Sequence, residues 1–156
     1  METRNTNQGE NEMTTYETAA QTAKKIRQVL KFWFPGFKFS VTSKSYSGGS
    51  SVSVSWTDGA AFELVNNLVN GMNSATFDGM IDLKETKYYS WNGETFRGAD
   101  WIHVQREISE EFTFKTCQKI CDDYRVKLDK ENWYNQVIDG QFLSGMMREE
   151  LRTVNI

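Results

Sequence analysis

Two short alternating runs, FKFSV at 37–41 and SVSVSW at 51–56, flank a loop rich in serine and glycine, and nothing else in the chain restricts the fold as tightly. Phe37, Phe39 and Val41 fall on one side of the first run, and Val52, Val54 and Trp56 on one side of the second. The opposite sides carry Ser, Thr and Lys. A period of two with one apolar side is the signature of antiparallel strands that bury one face and leave the other in water. The connection is expected over Ser43–Ser51, with Gly48 and Gly49 supplying the positive φ angles of a tight reversal.

Helical periodicity surrounds this hairpin. From Thr14 or Thr15, either able to cap a helix, small and apolar residues recur at Ala19, Ala23, Ile26, Leu30, Trp33 and Phe34. Pro35 and Gly36 then stop the helix. A second helix is expected over Ala60–Met72, capped by Asp58. Between Asn73 and Asp100 one or two strands are expected around Ile81–Tyr89, with a turn at Asn92–Gly93. WIHVQREI at 101–108 alternates as a strand whose apolar side, Ile102, Val104 and Ile108, is interrupted near its end by Arg106. Ser109 caps a further helix with Glu110 and Glu111 in its first turn, where negative charge suits the helix dipole. Gly140 and Gly145 divide the last apolar segment into two pieces, the second helical. The reading is an α+β fold: a mainly antiparallel sheet built around the Ser/Gly-loop hairpin and covered on one face by N-terminal, middle and C-terminal helices.

At 156 residues one core and one domain are expected, over 14–156, preceded by a flexible polar tail at 1–13. No apolar run reaches the roughly 20 residues that cross a bilayer, and the first residues lack the basic start and apolar middle of a signal peptide. A cytoplasmic home and no membrane partner follow as expectations. Cys117 and Cys121 are expected as reduced thiols, because four residues along a helix is poor disulfide geometry.

The net charge of −3 argues against a protein devoted to neutralising phosphates, but its distribution is uneven. Residues 37–57 hold two basic and no acidic side chains, whereas 58–100 hold three basic and seven acidic. The hairpin is basic and the middle of the chain acidic.

Catalytic chemistry finds little footing. His103 is the single histidine, set inside a strand with no nucleophile signature near it. Two cysteines fall short of the four ligands of structural zinc, so no metal and no cofactor are expected. SYSGGSS has anion-cradling backbone, yet it joins two strands and lacks the residue order of a P-loop. Asp78, Asp82 and Glu85 match no calcium loop. Of the aromatic group Tyr88, Tyr89, Trp91, Phe96 and Trp101, most is expected in the core, and any exposed ring would serve as an anchor for a partner.

The segments FPGFKFSV, SKSYSGGSSVSVSWTDG, FDGMIDL and GADWIHVQREIS, taken in order, resemble the twenty-ninth of the large polyvalent protein associated domains. The resemblance runs from about Phe34 to Ser109. It implies a module carried by phages and conjugative elements, with no catalytic residues to transfer. The expected function is therefore a non-catalytic interaction module that binds or inhibits a host defence protein or nucleoprotein. The contact residues expected are Lys44, Tyr46, Gly48, Gly49, Asp78, Asp82 and Trp91. A second reading is nucleic-acid binding through Lys38, Lys44 and Tyr46 on the basic hairpin. A third is an enzyme or binder of a small anionic ligand at the Ser-Gly loop.

Overall fold

The computed structural model describes residues 13–78 and 83–153. The expected tail, apart from Met13, lies outside them.

The chain enters through a two-residue strand, β1 (Thr15–Tyr16), which pairs in parallel with Phe96 and Arg97. Thr15 is thereby drawn into a sheet, and the helix cap falls to Thr18. The Thr18 hydroxyl accepts from the Gln21 N–H, and the Gln21 side chain accepts from the Thr18 N–H at 2.8 Å. This reciprocal capping box satisfies two backbone donors at the start of α1 (Ala19–Trp33). Ala19, Thr22, Ala23, Ile26 and Leu30 form its buried stripe. Pro35 and Gly36, the latter at φ +91°, then turn the chain away.

The hairpin consists of β2 (Ser40–Tyr46) and β3 (Gly49–Thr57), paired from Ser40↔Ser55 to Tyr46↔Gly49. Its connection is only Ser47–Gly48, much shorter than the loop expected, because the serine side chains of the outer face can stay in register while exposed. Phe37 to Phe39 precede the strand and do not belong to it. The Phe37 ring instead lies against Gly59, where an added Cβ would stand 2.9 Å from it.

After α2 (Phe62–Asn70) come two small antiparallel pairs: β4 (Ala75–Asp78) with β5 (Leu83–Thr86), and β6 (Tyr89–Trp91) with β7 (Glu94–Arg97). Asn92 and Gly93, both at positive φ, make the two-residue turn between β6 and β7. β8 (Trp101–Glu107) then joins the hairpin sheet beside β3, in parallel, giving the order β2-β3-β8.

One face of this sheet is closed. Val41, Val52, Val54, Trp56 and Ile102 are buried against α1 and α2. The other face is open, with Thr42, Lys44, Ser53, His103 and Gln105 exposed. The α+β class, with helices on one side of the sheet, is the architecture the alternation implied.

The chain continues through α3 (Glu110–Asp123), a single 3₁₀ turn at Trp133–Asn135, the short hairpin β9 (Val137–Ile138) and β10 (Gln141–Phe142), and α4 (Leu143–Thr153). These elements build a separate hydrophobic cluster around Phe112, Cys117, Ile120, Cys121, Leu128, Leu143 and Met147. Two clusters replace the one core expected from length. The division falls at Ser109.

Among the described residues no helix is long and apolar enough to cross a membrane.

Candidate binding surface

Residues of two of the recognisable motifs, SWTDG and GADWIHVQREIS, are occupied in holding the fold together. In SWTDG, Trp56 Nε1–H donates to the Ala60 carbonyl at 2.9 Å while its ring stacks near Phe62. Asp58 sits at φ +55° and was expected to cap α2, but its carboxylate turns the other way. It accepts from the Ser109 N–H at 2.8 Å and the Ser109 hydroxyl at 2.7 Å, so it braces the start of α3. The N-cap of α2 is Ala61, which has no side-chain acceptor to offer. Arg106 fastens the same corner: its guanidinium donates to the carbonyls of Asp58 (3.0 Å), Gly59 (2.9 Å) and Leu151 (2.5 Å). Burial pulls the Arg106 pKa down while neighbouring Asp58 opposes the shift.

The GAD motif does the same at the opposite end of the sheet. Gly98 lies so close to the Met72 carbonyl that a Cβ would stand 2.8 Å from it. The Ala99 N–H donates to the buried Thr22 hydroxyl at 3.0 Å, tying the motif to α1. Asp100 and Ser50 exchange hydrogen bonds, Ser50 N–H to Asp100 Oδ2 at 3.0 Å and Asp100 N–H to Ser50 Oγ at 3.3 Å. The hairpin end is thus pinned.

A third fixed point is Lys25. It pairs with Glu17 and donates to the Tyr89 hydroxyl at 3.2 Å, while its ammonium lies 3.2 Å from the centre of the Phe96 ring, with Trp91 on another side. The Tyr89 hydroxyl donates to Glu17. Burial, reinforced by the Glu17 hydrogen bond and charge, raises the Tyr89 pKa. Each polar group in this cluster has its partner inside the cluster.

The residues expected to make contacts do not converge. Lys44 is exposed on the outer sheet face, and Gly48, at φ +85°, forms the hairpin turn. Tyr46 is 46% exposed, and its ring covers Gly49, whose added Cβ would stand 3.0 Å from it. Lys38 lies in the lead-in to β2, and Trp91 is half-buried beside Lys25. Asp78 closes β4, but its side chain, like the whole of Asp82, lies outside what the structure describes. His103 is exposed opposite Ser53. Cys117 and Cys121 are free and buried in the second cluster, and burial pushes the Cys117 thiol up to about 11. Among the described residues no group of three metal-ligating side chains assembles.

Two strongly exposed aromatic side chains sit elsewhere, next to each other where α1 ends. Phe32 and Trp33 are 77% and 62% exposed, and their rings meet edge to face with centroids 5.5 Å apart. A cleft of about 560 Å³ lies at the FPGF turn, with Phe34, Phe37 and Phe39 among its walls and Arg27, Lys31 and Lys38 as its charged groups; Lys31 and Phe34 flank the two exposed rings in sequence. Trp33 was expected on the buried stripe of α1. Three successive aromatics at about 100° per residue cannot share one face. Phe34 takes the place over the core, and the other two turn outward. The consecutive FWF was the available signal.

Comparison with known families matches residues 17–109 to the large polyvalent protein associated domain 29. The chain belongs to this family. The matched segment ends at Ser109, where the first hydrophobic cluster gives way to the second. The family domain therefore comprises α1, the three-stranded sheet, α2 and the two small strand pairs. No curated protein and no solved structure matches the chain.

Proposed function

We propose that this chain is an interaction module of a mobile genetic element, acting in the cytoplasm of the host by occupying a surface of a host protein or nucleoprotein. Its principal contact surface is the end of α1 with the FPGF turn. The observation that carries this reading is the pair Phe32 and Trp33, two large rings left mostly in water and flanked in sequence by Lys31 and Phe34, which line an apolar-walled cleft with basic groups. Aromatic side chains with cations around them are the usual anchors of binding sites, and neighbouring exposed rings that the fold does not need mark a contact surface. The motif residues support it indirectly, because Asp58, Arg106, Gly98 and Asp100 are engaged in fixing the scaffold. Lys44 and Tyr46, farther along β2, form a second exposed stretch.

Site-specific photo-crosslinking in host cells tests this. A photoreactive residue at Trp33 should form a macromolecular adduct, and one at exposed Asn67 on α2 should not. If neither position 33 nor position 44 yields an adduct above that control, the reading is wrong.

A further inference from the structure

From Thr18 to Thr57 the sequence contains no Asp or Glu, but it does contain Lys24, Lys25, Arg27, Lys31, Lys38 and Lys44. This stretch carries +6 while the whole chain carries −3, so the remaining residues sum to −9. Lys25 is consumed internally by Glu17. Lys31 and Lys38 pair with no carboxylate among the described residues, and no acidic side chain lines the cleft they border. Arg27 gives one bond to the Val41 carbonyl, which aims its guanidinium along the same wall. The acidic motif residue Asp58 has its carboxylate engaged with Ser109.

From this geometry we infer that the surface at the end of α1 binds single-stranded nucleic acid. The inference rests on the reading of that surface as a contact site and names its partner. Two features select this chemistry. An edge-to-face pair covers at most one of its four ring faces, so Phe32 and Trp33 together offer open faces on which unpaired bases stack. A duplex keeps its bases stacked on one another and cannot use them. The three cations of the cleft stand ready for the phosphates of the same strand. Acidity elsewhere in the chain does not forbid this, because repulsion between exposed charges is largely screened beyond about 8 Å at physiological ionic strength.

The test is fluorescence polarisation with a labelled oligo-dT and oligo-rU, a duplex of equal length, and a poly-glutamate peptide, over a range of salt concentrations. Single strands should bind more tightly than the duplex. The logarithm of the association constant should fall with the logarithm of salt at a slope of about −2, as expected for three phosphates on a single strand. Phe32→Ala/Trp33→Ala should weaken binding by roughly tenfold or more at unchanged salt slope. Lys31→Gln/Lys38→Gln should flatten the slope. Both pairs are at the surface, so folding is not at issue. Absence of single-strand binding at low salt, duplex binding as tight as single-strand binding, an aromatic variant that binds like the parent, or equal competition by poly-glutamate would each overturn the inference. A protein adduct at Trp33 without oligonucleotide binding would retain the contact surface and discard nucleic acid as its partner.

Discussion

Asp58 offers the sharpest test of the scaffold, because one residue combines a left-handed backbone with two hydrogen bonds to a distant helix start. Replacing it by Gly relieves the backbone and removes both bonds. Replacing it by Ala removes the same bonds and keeps a Cβ at φ +55°. A hydrogen bond to a charged group contributes about 1.5–3 kcal/mol. Ser109 keeps water access on its half-buried side, so the lower end applies, and Asp58→Gly should cost roughly 2–3 kcal/mol. A left-handed non-glycine residue costs a further ~1–2 kcal/mol, which places Asp58→Ala at about 3–5 kcal/mol. Asp58→Asn retains an acceptor for the Ser109 N–H and a residue tolerant of this conformation, and should lose only about 1 kcal/mol. For a chain of this size the Ala variant should melt roughly 6–20 °C lower. Guanidinium unfolding followed by tryptophan fluorescence and by circular dichroism gives the series. The order parent, Asn, Gly, Ala is required. If Ala and Gly coincide, the backbone argument fails; if Ala lies within half a kcal/mol of the parent, the brace between SWTDG and α3 contributes nothing.

Other outcomes follow from the same structure. Lys25→Met should destabilise by about 3–5 kcal/mol by stranding Glu17, whose side chain is only 4% exposed, and adding Glu17→Gln should recover much of the loss in a double-mutant cycle. Because the Tyr89 pKa is raised in the folded protein above its ordinary 10.0, its contribution to stability is complete below pH 10 and is lost as pH rises beyond it. Tyr89→Phe should therefore flatten the stability profile above pH 10 in urea titrations. Gly98→Ala should cost at least about 1–3 kcal/mol because its Cβ meets the Met72 carbonyl, whereas Gly145→Ala, with open space around it in α4, should gain about 0.5–1 kcal/mol; thermal melts of the two discriminate. Native protein should leave a chromogenic disulfide reagent unreacted at pH 8, with both thiols appearing on addition of guanidinium, since Cys117 is buried and its pKa is about 11.

Local pattern was enough for features that local physics decides. The alternation of Val52, Val54 and Trp56, the apolar side of β8, the Asn92–Gly93 reversal and the Ser109 cap all follow from neighbours in sequence. Features decided at long range were hidden. Thr14, three residues before Glu17, and Thr18, three before Gln21, offer the same capping-box pattern in isolation, and the pairing of Thr15 and Tyr16 with Phe96 and Arg97 some eighty residues later chooses between them. Asp58 stands at the right distance to cap α2, yet Ser109, fifty-one residues away, takes its carboxylate. The expected contact residues were drawn from turn and loop chemistry, and Tyr46 and Gly49 prove to pack on each other. The exposed pair on α1 was obscured because an aromatic after Leu30 reads as core until Phe34 is seen to fill that place.

The arrangement separates two tasks that the family motif alone would merge. Glycines that admit no Cβ, a carboxylate engaged by a helix start and an arginine spread over three carbonyls are each committed to one structural role in this chain. On the proposed reading, partner choice resides in side chains the fold does not consume. In the matched segment these include Phe32 and Trp33 at the end of α1, the lysines near them in sequence, and the serine- and threonine-rich open face of the sheet. Substitutions there should alter binding without altering stability, and substitutions at Asp58, Gly98 and Arg106 should do the reverse.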